Sequence, residues 1–391
     1  MTASLHILLV LESAGGGAAR HVLDLARGLL ALGHVVHLAW SPLRAEPQFP
    51  AALGMPGLTT HAVPMTRGPG LRDVTAVRAV RVLLRHQRFD IIHGHSSKAG
   101  ALARLAALGS GVTAVYTPHA LVTFDPSLGR AARAAYGLAE RMLAGLGARV
   151  ICVSVEERAH ALTLGIPPSR LAVVPNGIGP LALADRTGAR LALGIPDAAV
   201  CVGFVGRLSA QKAVLRLVDA FALACPSGAS DARLALVGDG PERVALQHRA
   251  EALGIADRVV FAGHGDGPAL MAGFDVFVLP SRYEGFPYVL LEAGQRSLPI
   301  ITTAVGGAST VVHPGENGCI LDATAPVTES LADALRKLVA DRTGREEMGR
   351  RSAGIVATLT VEAMVRQTVE VYRDALGSQA GRAPPGTVRD Q

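Results

Sequence analysis

Aromatic side chains make up only 4% of this 391-residue chain and charged ones 18%, so Ala, Val and Leu must supply most of a composition that is 49% hydrophobic. Lysine is scarce: Lys98, Lys212 and Lys337 stand among 38 basic residues, and all the others are Arg. The four cysteines (Cys152, Cys201, Cys225, Cys319) form neither a CxxC pair nor a ligand cluster, which predicts reduced thiols in a cytoplasmic protein. No apolar run approaches the roughly 18 residues of a membrane-spanning helix. The N-terminus lacks a basic region and a small-residue cleavage site, so no signal peptide is expected and "LHILLVL" reads as a first buried strand. Asp-x-Asp, HExxH, GxSxG and the P-loop lysine motif are all missing, which excludes a recognisable divalent-metal clamp and a serine-hydrolase elbow. There is no zinc module or aromatic platform beside the basic residues, so nucleic acid is not expected as a partner.

The length suits two domains rather than one core. The formal charge of +6 is unevenly spread: residues 1–180 hold 17 Arg and Lys against 9 Asp and Glu, and the remainder 21 against 23. Arg78, Arg81, Arg85 and Arg88 follow a 3, 4, 3 spacing, which predicts one face of a helix with Val77, Val80 and Leu84 turned elsewhere. A solvated face is one reading of these arginines. Contact with anionic lipid headgroups, at the inner face of the cell membrane, is the other.

Short runs rich in Val and Ile alternate with longer helical patterns. "LHILLVL", "HVVHLAW", "FDIIHGH", "AVYTPH" and "ARVICVS" form one series; after Pro180 the pattern restarts with "AAVCVGFVGRL", "ARLALVGDG", "RVVFAGH", "DVFVLPS" and "LPIITTAVGG". This predicts an α/β chain of two doubly wound, Rossmann-like domains with parallel sheets covered on both faces. The expected layout is residues 1–180, a linker at 181–197, a second domain at 198–360, a last helix at 361–377 packing back on the first domain, and a disordered tail at 378–391. Ligands in such sheets bind at the carboxyl ends of strands, so a cleft between the domains is the expected site.

Four places carry candidate chemistry. "VGFVGRLSAQKAV" puts Arg207 and Lys212 just past a strand; a guanidinium fork beside a compact ammonium suits a diphosphate. "ESAGGGAARHV" joins the first strand to the first helix, where Gly16 and Gly17 let backbone approach an anion. It is not GxGxxG, and no acid ends the second strand to hold a nicotinamide ribose, so a dehydrogenase is disfavoured. "SRYEGFPYVLLEAGQR" holds Glu284 and Glu292, with Pro287 expected as the first residue of a helix between them. Eight residues of helical rise span about 12 Å, enough for one carboxylate to hold a ribose diol while the other reaches the far end of a nucleotide sugar. Finally, His119 follows one strand, and His95, Ser96, Ser97 and Lys98 follow another, as acceptor-side candidates.

With these residues placed, the chain resembles retaining glycosyltransferases of family four, of the GT-B fold. "VGRLSAQK", "VPNGI", "GDGPER", "PSRYEGFPYVLLEA" and "GENG" carry the likeness, in that order, over nearly the whole length. The family's Glu-x7-Glu signature falls on Glu284 and Glu292. The resemblance implies that Glu292 binds the nucleotide ribose and that Glu284 contacts the donor sugar. It implies that Arg207 and Lys212 hold the diphosphate, that Gly16 and Gly17 lie near the phosphates, and that His119 lies close to the transferred sugar. Gly285, Phe286, Pro287 and Tyr288 would shape the donor pocket with their backbone. The implied reaction moves a hexose from a nucleotide sugar, UDP-linked by expectation, without a metal or other cofactor. "DIIHGHSSKAGALARLAA" and "VYTPHALVTFD" look most like the subgroup acting on polyprenyl-diphosphate-linked or other cell-surface glycan acceptors.

Three departures stand out. "SPQKG" is replaced by "SAQKA", with Ala210 and Ala213; "VPNGID" ends in Gly179; and the glycine after His119 is Ala120. None removes a charged phosphate ligand. A nucleotide-sugar epimerase of the same architecture would release altered free sugar without an acceptor, and a non-catalytic relative would bind donor without turnover.

Overall fold

In a computed structural model that describes residues 3–183, 185–226, 228, 230–323 and 326–380, the first series of strands forms a seven-stranded parallel sheet. Its strands are β1 (His6–Leu11), β2 (Val35–Trp40), β3 (Leu58–Ala62), β4 (Ile91–His95), β5 (Thr113–Thr117), β6 (Arg149–Cys152) and β7 (Leu171–Val173), in the order β3-β2-β1-β4-β5-β6-β7. The alternation of side chains along β1 sorts the core into two layers. Ile7, Leu9 and Leu11 pack against Val22, Leu25 and Leu29 of the helix Gly16–Ala31 and against Met364, Val365 and Tyr372 of the helix Val361–Ala380. Leu8 and Val10 meet Val80 and Leu84 of the helix Arg72–His86 and Leu102 of the helix Ser97–Ala107. The last helix therefore covers the first sheet, as expected, and the approach is close: a Cβ on Gly28 would stand 2.4 Å from a Val365 methyl.

The second series builds a six-stranded parallel sheet from β8 (Cys201–Val205), β9 (Arg233–Val237), β10 (Val259–Gly263), β11 (Val276–Leu279), β12 (Ile300–Thr303) and β13 (Gly318–Leu321), ordered β10-β9-β8-β11-β12-β13. Both sheets reverse their winding at the first strand: β1 lies between β2 and β4, and β8 between β9 and β11. Such a switch point opens a crevice at the strand ends. Contacts divide the chain into one unit running to Asn176 and resuming at Val361, and a second unit of Gly177–Thr360. The helix Arg186–Leu193 belongs to the second unit, capped by Asp185 through Gly188 N–H and ended by Gly194 at φ +64.

Two expectations are corrected. The last helix continues to Ala380, so residues 378–380 are helical, and 381–391 of the expected tail lie outside the described residues. The four arginines do not all lie on the helix. The helix Arg72–His86 ends before Arg88, and Arg81 turns inward to donate to the Leu105 carbonyl at 3.0 Å, leaving Arg78 and Arg85 exposed on it. Among the described residues, no helix is long and apolar enough to cross a membrane.

Candidate active site

In the second unit, β8 ends at Val205 and the backbone turns through Gly206 at φ +153. The turn is packed from the side by the "GDG" loop after β9. Cβ atoms on Gly238 and Gly240 would lie 2.0 and 2.3 Å from the Gly206 and Leu208 carbonyl oxygens, so only glycine permits this approach. Leu208 N–H donates to Asp239 O at 2.9 Å and locks the loop. The outcome is an exposed Arg207 with no ion-pair partner among the described residues. Five residues on, Lys212 precedes the helix Val214–Ala224 and donates from Nζ to Glu284 Oε1 at 2.6 Å.

Glu284 is brought there by the loop after β11. Arg282 N–H donates to Gln211 O at 2.8 Å, and Gln211 Nε2 donates to Tyr283 O at 3.1 Å. From the other side, Gly306 N–H donates to Glu284 O at 3.2 Å. Gly307 sits against the Phe286 ring so closely that a Cβ would fall 2.5 Å from it. Gln211, Gly306 and Gly307 are the parts that sequence reasoning missed; "AVGG" after β12 was the available signal. Glu284 and Lys212 side chains are 10% and 17% exposed, so the pair is largely desolvated yet still open on one side. Pro287 is the N-cap with extended backbone rather than the first helical residue, and the helix Tyr288–Gln295 follows it. Glu292 lies in that helix, 4% exposed. Gly285, Phe286 and Pro287 are all buried between the two acids. A separate cavity of about 560 Å³ in the second unit, lined by Arg186, Asp275, Arg296 and Arg342 among others, contains none of these residues.

In the first unit a second cluster forms at the ends of β4 and β5. His95 is wholly buried, and its Nδ1 lies 3.1 Å from Nε2 of the part-buried His119. Beneath them His93 is held by the Tyr372 hydroxyl at 2.7 Å and Thr117 Oγ1 at 2.8 Å. His21, from the helix Gly16–Ala31, packs its ring 4.5 Å from that of His119 and bonds Asn176 Oδ1 through Nδ1 at 3.0 Å. Burial lowers His21 to about 4. It holds His93, His95 and His119 well below the usual range, helped by their mutual repulsion, so all four are neutral at pH 7. His21 and Asn176 were not foreseen, because no local pattern links positions 155 apart.

The remaining candidates fall unevenly. The Lys98 ammonium pairs with Asp73 and donates to Gly68 O at 2.9 Å. Ser97 accepts from the Tyr116 hydroxyl at 3.3 Å, whereas the buried Ser96 Oγ has no partner among the described residues. Gly16, at φ +58, opens the first helix, but its N–H already donates to Glu46 Oε1 at 3.1 Å; Gly17 is exposed. Two of the three departures acquire a physical meaning. Ala213 (φ 49) and Ala120 (φ 87) both adopt left-handed backbone, a conformation that glycine takes without strain.

A family model described as Glycosyl transferases group 1 matches residues 185–354, and one described as Glycosyltransferase Family 4 matches residues 15–180. A D-inositol 3-phosphate glycosyltransferase of Stackebrandtia nassauensis is 30% identical, over 93% of this chain and 88% of that protein. The chain belongs to glycosyltransferase family 4. A second relative of this family 4 enzyme is the UDP-Gal:alpha-D-GlcNAc-diphosphoundecaprenol alpha-1,3-galactosyltransferase of Escherichia coli, 28% identical over 70% of this chain and 72% of that one. Among solved structures, Anabaena HepE in complex with UDP and glucose aligns with TM-score 0.79 and 22% identity, over 95% of this chain and all of HepE. The fold of this glycosyltransferase is GT-B, with two Rossmann-like domains.

Proposed function

We propose that this glycosyltransferase moves a hexose from a UDP-sugar to the hydroxyl of a polyprenyl-diphosphate-linked or other cell-surface glycan, keeping the anomeric configuration. The observation that carries the donor half is the Lys212–Glu284 pair at 2.6 Å, with Lys212 in the loop that holds the exposed Arg207 and Glu284 just before the helix that carries the buried Glu292. On this reading Arg207 and Lys212 are the cations that take the diphosphate, and Lys212 exchanges Glu284 for phosphate oxygen when donor arrives. Glu284 is then released to the sugar hydroxyls and Glu292 holds the ribose. Charge developing on the leaving diphosphate is stabilised by groups already in position, which suits transfer without a metal. The departing phosphate takes the acceptor proton, so no side chain is assigned as general base.

His119 is assigned to the transferred sugar and the first unit to the acceptor. The names of the Escherichia coli relative, which prints a UDP-galactose donor and a diphosphoundecaprenol acceptor, and of HepE with UDP support the donor and acceptor class. Exposed Arg78 and Arg85, with Arg88 beyond their helix, are the proposed contact with an anionic membrane at its cytoplasmic face.

The decisive experiment incubates the protein with UDP-glucose, UDP-galactose or UDP-N-acetylglucosamine and a panel of polyprenyl-diphosphate sugars and inositol 3-phosphate, and follows UDP release and product linkage by NMR. The expected product keeps the donor's anomeric configuration and appears only with a lipid-linked acceptor. An inverted linkage, or altered sugar released without acceptor, overturns the reading.

A further inference from the structure

The histidines of the first unit form a ligand set that sugar transfer alone does not require. His21, His95 and His119 each present a ring nitrogen within 4.8 Å of the other two. No carboxylate belongs to the group, and imidazole-only sets favour zinc, copper, nickel or cobalt over magnesium or calcium. The set also has an outer shell. If Asn176 presents its amide oxygen at 3.0 Å, His21 Nδ1 carries the proton and its Nε2 keeps a free lone pair, the arrangement that orients metal-bound imidazoles. His93 is not available as a ligand, since both its nitrogens are taken by Tyr372 and Thr117; its ring is the floor, 4.0 Å from that of His95.

Distances fit with modest adjustment. Zinc–nitrogen bonds of about 2.0–2.1 Å place two tetrahedral ligands roughly 3.3 Å apart. His95 Nδ1 and His119 Nε2 are 3.1 Å apart, close to that spacing, and the ligand atoms of the trio all lie within 4.8 Å of one another. His21 and His95 are buried whereas His119 is part-exposed, so entry and the fourth coordination position lie on the His119 side.

We propose that His21, His95 and His119 bind one zinc-like divalent cation in the first unit, and that the bound ion inhibits the enzyme by occupying His119. The binding stands on the geometry alone; the inhibition rests on the role proposed for His119 in sugar transfer.

The test uses the full chain freed of metal by a chelator and titrated with Co²⁺. The expected result is a visible absorption band of nitrogen-coordinated cobalt that saturates at one ion per chain and is bleached by Zn²⁺. His21→Ala should weaken binding at least tenfold. Asn176→Ala, which leaves all three imidazoles in place, should weaken it about tenfold through the lost outer-shell bond. Replacing both His37 and His61, a separate pair with nitrogens 3.0 Å apart, should leave the band unchanged. No band, or a band lost with His37 and His61 and kept in both other variants, overturns the site. Zn²⁺ should slow sugar transfer without changing the thermal shift given by UDP. A chain that shows the cobalt band but transfers no sugar would leave the metal site standing and refute the transfer reading instead.

Discussion

Lys212 is held between two claims on its charge. In the structure its ammonium satisfies Glu284 at 2.6 Å; in the proposed reaction it satisfies a diphosphate. Lys212→Ala should lower kcat/KM by about 10²–10³, the usual cost of removing one preorganised charge-stabilising donor. It also strands a carboxylate that is only 10% exposed, so stability should fall by about 1–3 kcal/mol, partly relieved by Gln211. Lys212→Arg keeps the charge but not the compact shape and should recover stability more fully than turnover. Steady-state kinetics beside urea unfolding separate the two effects, and unchanged turnover in folded Lys212→Ala would remove the diphosphate role. Lys212 was legible because Arg has replaced Lys almost everywhere else, and Glu284 because a lone acid in an apolar loop demands a partner. Lys98 shared that rarity, but nothing in the sequence says that Asp73, 25 residues earlier, folds onto it. The histidines were half legible: His95 and His119 end adjacent strands, but His21 joins them only because the first helix crosses their sheet.

Elements hold the acids in place through glycines that face backbone. The helix Tyr288–Gln295, which carries Glu292, is backed by the helix Arg342–Val356. A Cβ on Gly349 would stand 1.9 Å from the Ser297 carbonyl oxygen, which cannot swing aside; a Cβ on Gly294 would meet a Val356 methyl at 2.4 Å, which can rotate. Gly349→Ala should therefore force the two helices apart, costing about 1–3 kcal/mol and raising KM for the UDP-sugar several-fold with a smaller change in kcat. Gly294→Ala should cost less. Equal urea midpoints and KM values for Gly349→Ala and the parent chain would refute this account of how Glu292 is positioned. The strands were readable because parallel strands buried on both faces are continuous runs of Val, Ile and Leu. Helix ends were less so: Pro287 satisfies both an N-cap and a first-turn position by its fixed φ, and only the backbone ψ of 123 decides for the cap. Packing glycines were invisible, because Gly349 sits in a helical sequence whose partner surface lies about 50 residues away.

At the scale of the whole molecule, titratable groups are as unevenly shared as charge. His21, His34, His37, His61, His93, His95, His119 and His160 are all shifted down, burial being the main cause in each, and all eight lie in the first unit. Between each lowered value and the ordinary 6.5, the unfolded chain binds a proton that the folded one refuses. Stability from these groups is present above about pH 6.5 and is lost as pH falls. Glu157 acts oppositely: burial raises it to about 7 against the pull of the Val153, Ala120 and Leu121 N–H groups, so its contribution declines as pH rises from 4.5 to 7. Glu12 and Asp24, also raised by burial, share its sign. Four of these imidazoles, His21, His93, His95 and His119, are strongly lowered, against one carboxyl, Glu157, that is strongly raised, and between pH 5 and 6.5 each such histidine costs about 1.4 kcal/mol per pH unit. The added charge enters the half of the chain that already holds 17 basic residues against 9 acidic ones, which reinforces the effect. Trp40, the only tryptophan, lies in β2 of this unit with its ring 5.6 Å from Phe49, so its fluorescence reports the first unit's unfolding. The urea midpoint followed at Trp40 should be highest near pH 7 and should fall steadily from pH 6.5 to pH 5. A midpoint that holds or rises over that range would mean that these imidazoles are already protonated in the folded chain.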